Sequence, residues 1–259
     1  MKPRVEIAER RAEVAGLEVY RREAGDASIL YLHGVPTAGW DWEPFLARTG
    51  GVAPDLPGFG SSAKPGDFDY SIPGYADFLE AFCAEAGLDR VSIVMHDWGV
   101  VGLAFAQRNP ERVERIVLTA CVPLLPGYRW HRVARAWRTP VVGELTMGFS
   151  TRFGFRRSLP RQIADRAYDD FDHGTQRAIL KLYRSAPPEV LAAHGEGLGD
   201  LRCPALMAWP TRDPYIGAEF GGRYAEALGG EVELDEIDAG HWPWLDRPDM
   251  IDRVAAFLG

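Results

Sequence analysis

Short, continuous apolar runs at 29–32, 91–95, 115–119, 205–209 and 232–237 recur along the chain. Runs without polar alternation suit strands covered on both faces, as in a parallel sheet. Ahead of them, 8–14 and 17–23 alternate polar and apolar residues around Ala15-Gly16, which predicts a hairpin with one open face. The segments 75–86, 98–109, 218–228 and 249–258 have helical character and lie between or after the runs. Alternating strand and helix predicts an α/β fold, with a mostly parallel central sheet and helices on both faces. One stretch breaks the rhythm. Residues 123–200 hold no convincing buried strand but are rich in helix formers, arginine and aromatics. They read as a helical cap inserted in a core made of 1–122 and 201–259.

The bulk composition supports that division. A chain of 259 residues, 46% hydrophobic and 25% charged, suits one large α/β domain better than two independent units. Its formal net charge of -8 argues against a nucleic-acid or polybasic membrane partner, since either needs a cationic field. Residues 123–200 are an exception, with more basic than acidic side chains; they read as solvated helix faces. Cys83, Cys121 and Cys203 are odd in number and far apart, so neither a disulfide framework nor a metal site is expected. The opening MKPRVEIAERR is charged where a signal peptide is apolar, and no apolar run approaches the roughly 20 residues of a membrane span. The expectation is a soluble, cytoplasmic monomer or homodimer.

Chemistry concentrates where strands end. In Val91-Ser-Ile-Val-Met-His-Asp-Trp-Gly-Val-Val a buried strand runs straight into a helix, with Asp97 at the turn. Such a nucleophile elbow strains its central residue and needs small neighbours, which Gly99 supplies. The helix N-terminus favours an ionised side chain there. Taken alone, an aspartate before a helix is an ordinary cap; its companions point elsewhere. His33-Gly-Val-Pro36 follows the strand at 29–32, and the N–H groups of Val35 and Trp98 are placed to form an oxyanion hole. Asp213, between Pro210 and Pro214, follows the strand at 205–209. His241 is the one histidine after the final strand. The order Asp97, Asp213, His241 is nucleophile, acid, base.

Together these segments resemble the α/β-hydrolase superfamily, in its aspartate-nucleophile branch of epoxide hydrolases and haloalkane dehalogenases. The resemblance covers nearly the whole chain and rests on HGVP at 33–36, DLPGFGSS at 55–62, HDWG at 96–99, the loop ending in Asp213, and GHW at 240–242. It implies hydrolysis of a small apolar electrophile by water through a covalent ester on Asp97, with no cofactor or metal.

The two activities differ in how the leaving group is held. An epoxide oxygen needs a proton donor, whereas a halide needs N–H donors in a dry pocket. Ile179, Leu182, Tyr183 and Ala186 recur at helical spacing, which places Tyr183 on an apolar face; it resembles the ring-opening tyrosine of epoxide hydrolases. Tyr128 is the candidate second tyrosine, with Tyr168 as the other option. The dehalogenase alternative draws on Trp98, with Trp130 or Trp137 as a second indole, but Val35 stands where many haloalkane dehalogenases have asparagine. His33, Pro36, Trp130 and Trp137 are further candidates to touch substrate. The sequence favours an epoxide hydrolase, then a haloalkane dehalogenase, then a catalytically idle scaffold that binds a ligand.

Overall fold

The structure is a computed structural model that describes residues 6–25 and 28–259. Eight strands form a single sheet: β1 (Ala8–Val14), β2 (Leu17–Ala24), β3 (Ile29–Leu32), β4 (Gly51–Pro54), β5 (Val91–His96), β6 (Val113–Thr119), β7 (Ala205–Pro210) and β8 (Val232–Ile237). Their order is β1-β2-β4-β3-β5-β6-β7-β8; β2 runs antiparallel to both of its neighbours, β1 and β4, and all other pairs are parallel. The expected α/β sheet is therefore present. Ala15 (φ 48°) and Gly16 (φ 78°) form the two-residue turn between β1 and β2, the left-handed pair that matches strand twist in a tight hairpin.

Two strands differ from expectation. β4 was not anticipated, because Gly-Val-Ala-Pro lacks a strand-like pattern; all four residues are nevertheless buried between β2 and β3. β8 reads from sequence as covered on both faces, yet it lies at the sheet edge with every position partly buried or exposed. Val232 and Ile237 pack against opposite sides of the sheet, and Leu234 is exposed.

The helices on the sheet are α1 (Glu43–Thr49), α2 (Ile72–Glu85) and α3 (Val101–Arg108). Between β6 and β7 come six more: α4 (Arg132–Arg138), α5 (Val142–Gly148), α6 (Arg152–Ser158), α7 (Arg161–Asp169), α8 (His173–Ser185) and α9 (Pro188–Ala193). α10 (Glu219–Ala227), α11 (Pro243–Asp246) and α12 (Asp249–Leu258) complete the fold. Among the described residues no helix is long and apolar enough to cross a membrane.

The helical insertion is anchored at both levels. The Tyr224 hydroxyl on α10 accepts from Leu124 N (2.7 Å) and donates to Val122 O (2.8 Å), which fixes the exit from β6. Trp40 Nε1 donates to Asp170 (2.8 Å), Lys64 pairs with Asp172 (2.8 Å) and Arg166 pairs with Glu43 (2.9 Å), tying α7 and the start of α8 to the loops below.

Candidate active site

The end of β5 carries Asp97 in the left-handed region (φ 50°), a conformation unfavourable for a residue with a side chain. A 3₁₀ turn over Asp97–Val100 precedes α3, so the turn is tighter than an ordinary helix start. Two glycines make it possible. A Cβ on Gly99 would lie 2.1 Å from Leu32 O, and one on Gly34 would lie 2.4 Å from Asp97 Cβ. Backbone segments from β3 and β5 thus meet at a distance that only glycine allows.

That approach delivers Val35 N to Asp97 Oδ2 at 2.8 Å. Burial pushes the Asp97 carboxyl up to about 6, against the opposing pull of His241 and of the Val35 and Trp98 N–H groups. Near neutral pH the side chain is therefore an anion that has lost most of its water but keeps two backbone donors, a combination that favours attack on carbon.

Across the site His241 Nδ1 lies 2.7 Å from Asp213 Oδ2. The second Asp213 oxygen accepts from Tyr215 N (2.7 Å) and Ile216 N (3.2 Å), so both oxygens are committed and the carboxylate cannot rotate. Burial favours the neutral imidazole, but Asp213, helped by Asp97 and Asp41, outweighs it and raises the His241 pKa. With Nδ1 bound to Asp213, Nε2 is the nitrogen left to take a proton.

Asp97, His241, Val35, Pro36, Trp137 and Tyr183 all line one cavity of about 320 Å³, roofed by residues of α4 to α6 and α8. Among the described residues no lysine or arginine lines it, so these offer no countercharge to an anionic substrate. The Tyr183 hydroxyl stands beside the Trp98 indole, whose rings meet edge to face at 5.1 Å, and this indole N–H makes no well-formed hydrogen bond. Burial and the Asp97 charge raise the Tyr183 pKa well above its usual range, which keeps the phenol protonated and able to donate.

His33, Trp130, Tyr128 and Tyr168 do not line the cavity, nor does the Trp98 side chain. His33 donates from Nδ1 to Gly34 O (2.8 Å) and accepts at Nε2 from Leu56 N (3.0 Å); both nitrogens hold the loops together, and burial depresses the ring to about 4. Trp130 spends its indole N–H on Ala186 O (2.9 Å) and stacks on Trp98, so it supplies no donor to a leaving group. Tyr128 is buried against Trp130 and Phe220 with its hydroxyl unpaired, behind the cavity wall. Tyr168 packs on Phe155 and Arg152, also away from the cavity.

Other groups in the site carry no distinct mark in the sequence. Tyr215 lines the cavity, its ring 5.0 Å from His241; its only signal was its place two residues after Asp213. Asp41, buried in the loop after β3, accepts from Thr37 Oγ1 (2.6 Å) and Trp242 Nε1 (3.3 Å). It thereby links the oxyanion loop to the histidine loop, and burial pushes its carboxyl up to about 7. The DLPGFGSS segment turns out to be structural. Asp55 accepts from Arg22 (2.9 Å), Gly39 N (2.8 Å) and Ser61 N (2.8 Å) and so pins the loop whose Leu56 N–H holds His33.

Comparison with known proteins agrees with this arrangement. The profile of the alpha/beta hydrolase family matches residues 29–255. A haloalkane dehalogenase of Mesorhizobium japonicum is 30% identical over 90% of this chain and 84% of its own length, and one of Bradyrhizobium diazoefficiens is 29% identical over 97% and 94%. Among solved structures, haloalkane dehalogenase DbeA from Bradyrhizobium elkani superposes with a TM-score of 0.83 at 26% identity, covering 98% of each chain. The epoxide hydrolase CorEH shares the fold with a TM-score of 0.82 at 21% identity, over 97% of this chain and 98% of that one. The chain belongs to the alpha/beta hydrolase family and is a hydrolase of the haloalkane dehalogenase- and epoxide hydrolase-like kind.

Proposed function

We propose that the protein hydrolyses the carbon–halogen bond of a small, uncharged haloalkane through an ester on Asp97. One observation carries the reading: a carboxylate, where a hydroxyl would serve an esterase, stands at the elbow against backbone donors and shares its cavity with an aspartate-oriented histidine. A carboxylate attacks saturated carbon without losing a proton first, which leaves the histidine for the second step. The relatives named as haloalkane dehalogenases, similar over nearly the whole chain, favour halide as the leaving group.

In the first step an Asp97 oxygen bonds to carbon as halide departs toward the Tyr183 hydroxyl, backed by the Trp98 indole. His241, oriented by Asp213, then takes a proton from water as that water attacks the ester carbonyl. The Val35 and Trp98 N–H groups hold the resulting oxyanion; each such donor is worth about 3 kcal/mol of barrier. Alcohol leaves, and the proton and halide go to solvent. Residues 123–200 serve as the cap, with Trp137, Val133 and Phe149 shaping the space for the alkyl group.

The cavity-lining phenols favour epoxide hydrolysis as a second reading, because Tyr183 and Tyr215 are both present while Val35 and Trp130 offer no side-chain donor. The order of the two readings is thus the reverse of the one drawn from sequence, on the weight of the relatives. Matched haloalkane and epoxide substrates separate them by halide release against diol formation. Tyr183→Phe sharpens the answer. It removes a phenol placed to protonate an opening epoxide, a loss of about 10²-fold or more, whereas a departing halide needs no proton and loses only a hydrogen bond.

The trapping experiment tests what both readings share. His241→Gln with a reactive haloalkane gives one equivalent of halide per enzyme, then stops, with the alkyl mass on the Asp97 peptide. Continued turnover, or an unmodified peptide after the burst, would count against the proposal.

A further inference from the structure

Among the described residues, the most exposed large apolar side chains lie in the helical insertion. Phe149 is 79% exposed and Phe153 74%, beside Val141 at 68% and Leu145 at 54%. Val141, Leu145 and Phe149 recur every four residues along α5 and the residues that flank it, and Phe153 follows in α6 after a break in the helix. The same stretch of chain is basic. Residues 129–161 contain eight arginines and one acidic residue, Glu144, which pairs with Arg184. Arg132, Arg135, Arg157 and Arg161 are exposed, and among the described residues they make no ion pair, unlike Arg152 and Arg156, which pair with Asp165.

Phe153 shares a surface hollow with Arg156, Arg157, Arg161 and Asp165, the carboxylate being paired with Arg152 and Arg156. Phe149 and Val133 are exposed and also line the substrate cavity, so the cavity opens within this face. Two copies meeting face to face would bring two arginine clusters together, and docking on the acidic remainder of another copy gives a head-to-tail contact that does not close. A surface with negative charge above an apolar layer satisfies both features at once.

We propose that the α5–α6 face docks on an anionic phospholipid bilayer, with Phe149 and Phe153 entering the headgroup layer and the arginines meeting lipid phosphates. The net charge of -8 does not prevent this, because charges on the far side are screened beyond about 8 Å at physiological salt. Docking places the cavity mouth against the phase in which apolar molecules concentrate. That consequence rests on the hydrolase reading above; the docking itself does not.

Flotation of the full chain with vesicles of phosphatidylcholine plus phosphatidylglycerol, beside vesicles of phosphatidylcholine alone, tests the proposal. Binding to the anionic vesicles is expected to be at least about tenfold stronger and to weaken as salt rises. The F153S/R157E/R161E variant changes only exposed residues outside the cavity. It is expected to lose about tenfold or more of that binding while keeping its circular dichroism and its vesicle-free turnover of a water-soluble substrate. A wild-type chain that stays unbound with anionic vesicles, or a variant that floats equally well, overturns the proposal. So does a wild-type dimer in sedimentation that the variant converts to monomer. Flotation uses no substrate, so its failure leaves the hydrolase reading intact, and failure of that reading leaves flotation unaffected.

Discussion

The loops at the ends of β3 and β5 and the helices above them solve opposite problems. Below, every group is over-determined: Gly34 and Gly99 leave no room for a methyl, Asp97 is held in a left-handed conformation, and Asp55 accepts three hydrogen bonds. Above, Phe149 after α5 and Phe153 in α6 are exposed, and Arg157 and Arg161 make no ion pair among the described residues. The floor is built to fix reacting atoms within fractions of an ångström, the condition for attack at carbon. The roof is built to meet variable apolar matter. Substitutions on the floor are therefore expected to cost chemistry or folding, and those on the roof to alter access.

The largest effect is expected at Asp97. Asp97→Asn lowers turnover by about 10⁴-fold or more, measured as product formation at saturating substrate. It is also expected to stabilise the fold. Burial raises the Asp97 pKa from 3.8 to about 6, so its contribution to stability is complete below 3.8 and is lost as pH rises through about 6. At neutral pH the buried charge costs about 3 kcal/mol, which the neutral amide avoids. A rise in melting temperature alongside lost activity would mark Asp97 as a functional residue, and a fall would mark it as a structural cap.

Asp55→Ala comes next. It leaves the Arg22 guanidinium, 5% exposed, without its buried partner, and is expected to cost about 3–5 kcal/mol in urea unfolding. Arg161→Ala on the roof is expected to stay within about 0.5 kcal/mol in the same assay. Equal losses would erase the distinction between the two regions.

Acid gives a milder test. Attack needs ionised Asp97, so the rate of ester formation in single turnover is expected to fall about tenfold per pH step below about 6. His241→Gln retains that limb for the first step, since the base acts only in the second. The smallest effect on catalysis belongs to Trp137→Ala, which widens the cavity from the roof. It should raise KM for a small substrate by about tenfold, with kcat nearly unchanged.

How much of this was legible depended on whether a signal is local. The runs that became β3, β5 and β7 are fully buried strands, and burial on both faces leaves a continuous apolar word in the sequence. β4 leaves none, because its four residues are buried by their place between neighbours. Asp97, Asp213 and His241 were legible because each follows a strand, and topology alone carries strand ends to one side of a sheet. Which polar atoms remain unspent was not legible. His33, Trp130 and Tyr128 have the right chemistry, but hydrogen bonds to Leu56 and Ala186, or an aromatic wall, remove them from the cavity. Asp41 and Tyr215 went unnoticed for the converse reason: a lone carboxylate beside tryptophan and a tyrosine after a proline look like any loop until distant residues close around them.

The account stands on an ester between Asp97 and substrate carbon, and oxygen isotopes report on it directly. With enzyme in excess and a single turnover in ¹⁸O-water, the alcohol is expected to carry unlabelled oxygen from the Asp97 carboxylate, the label passing into the enzyme. Alcohol labelled from the first turnover would mean that water itself attacks carbon, which contradicts the account.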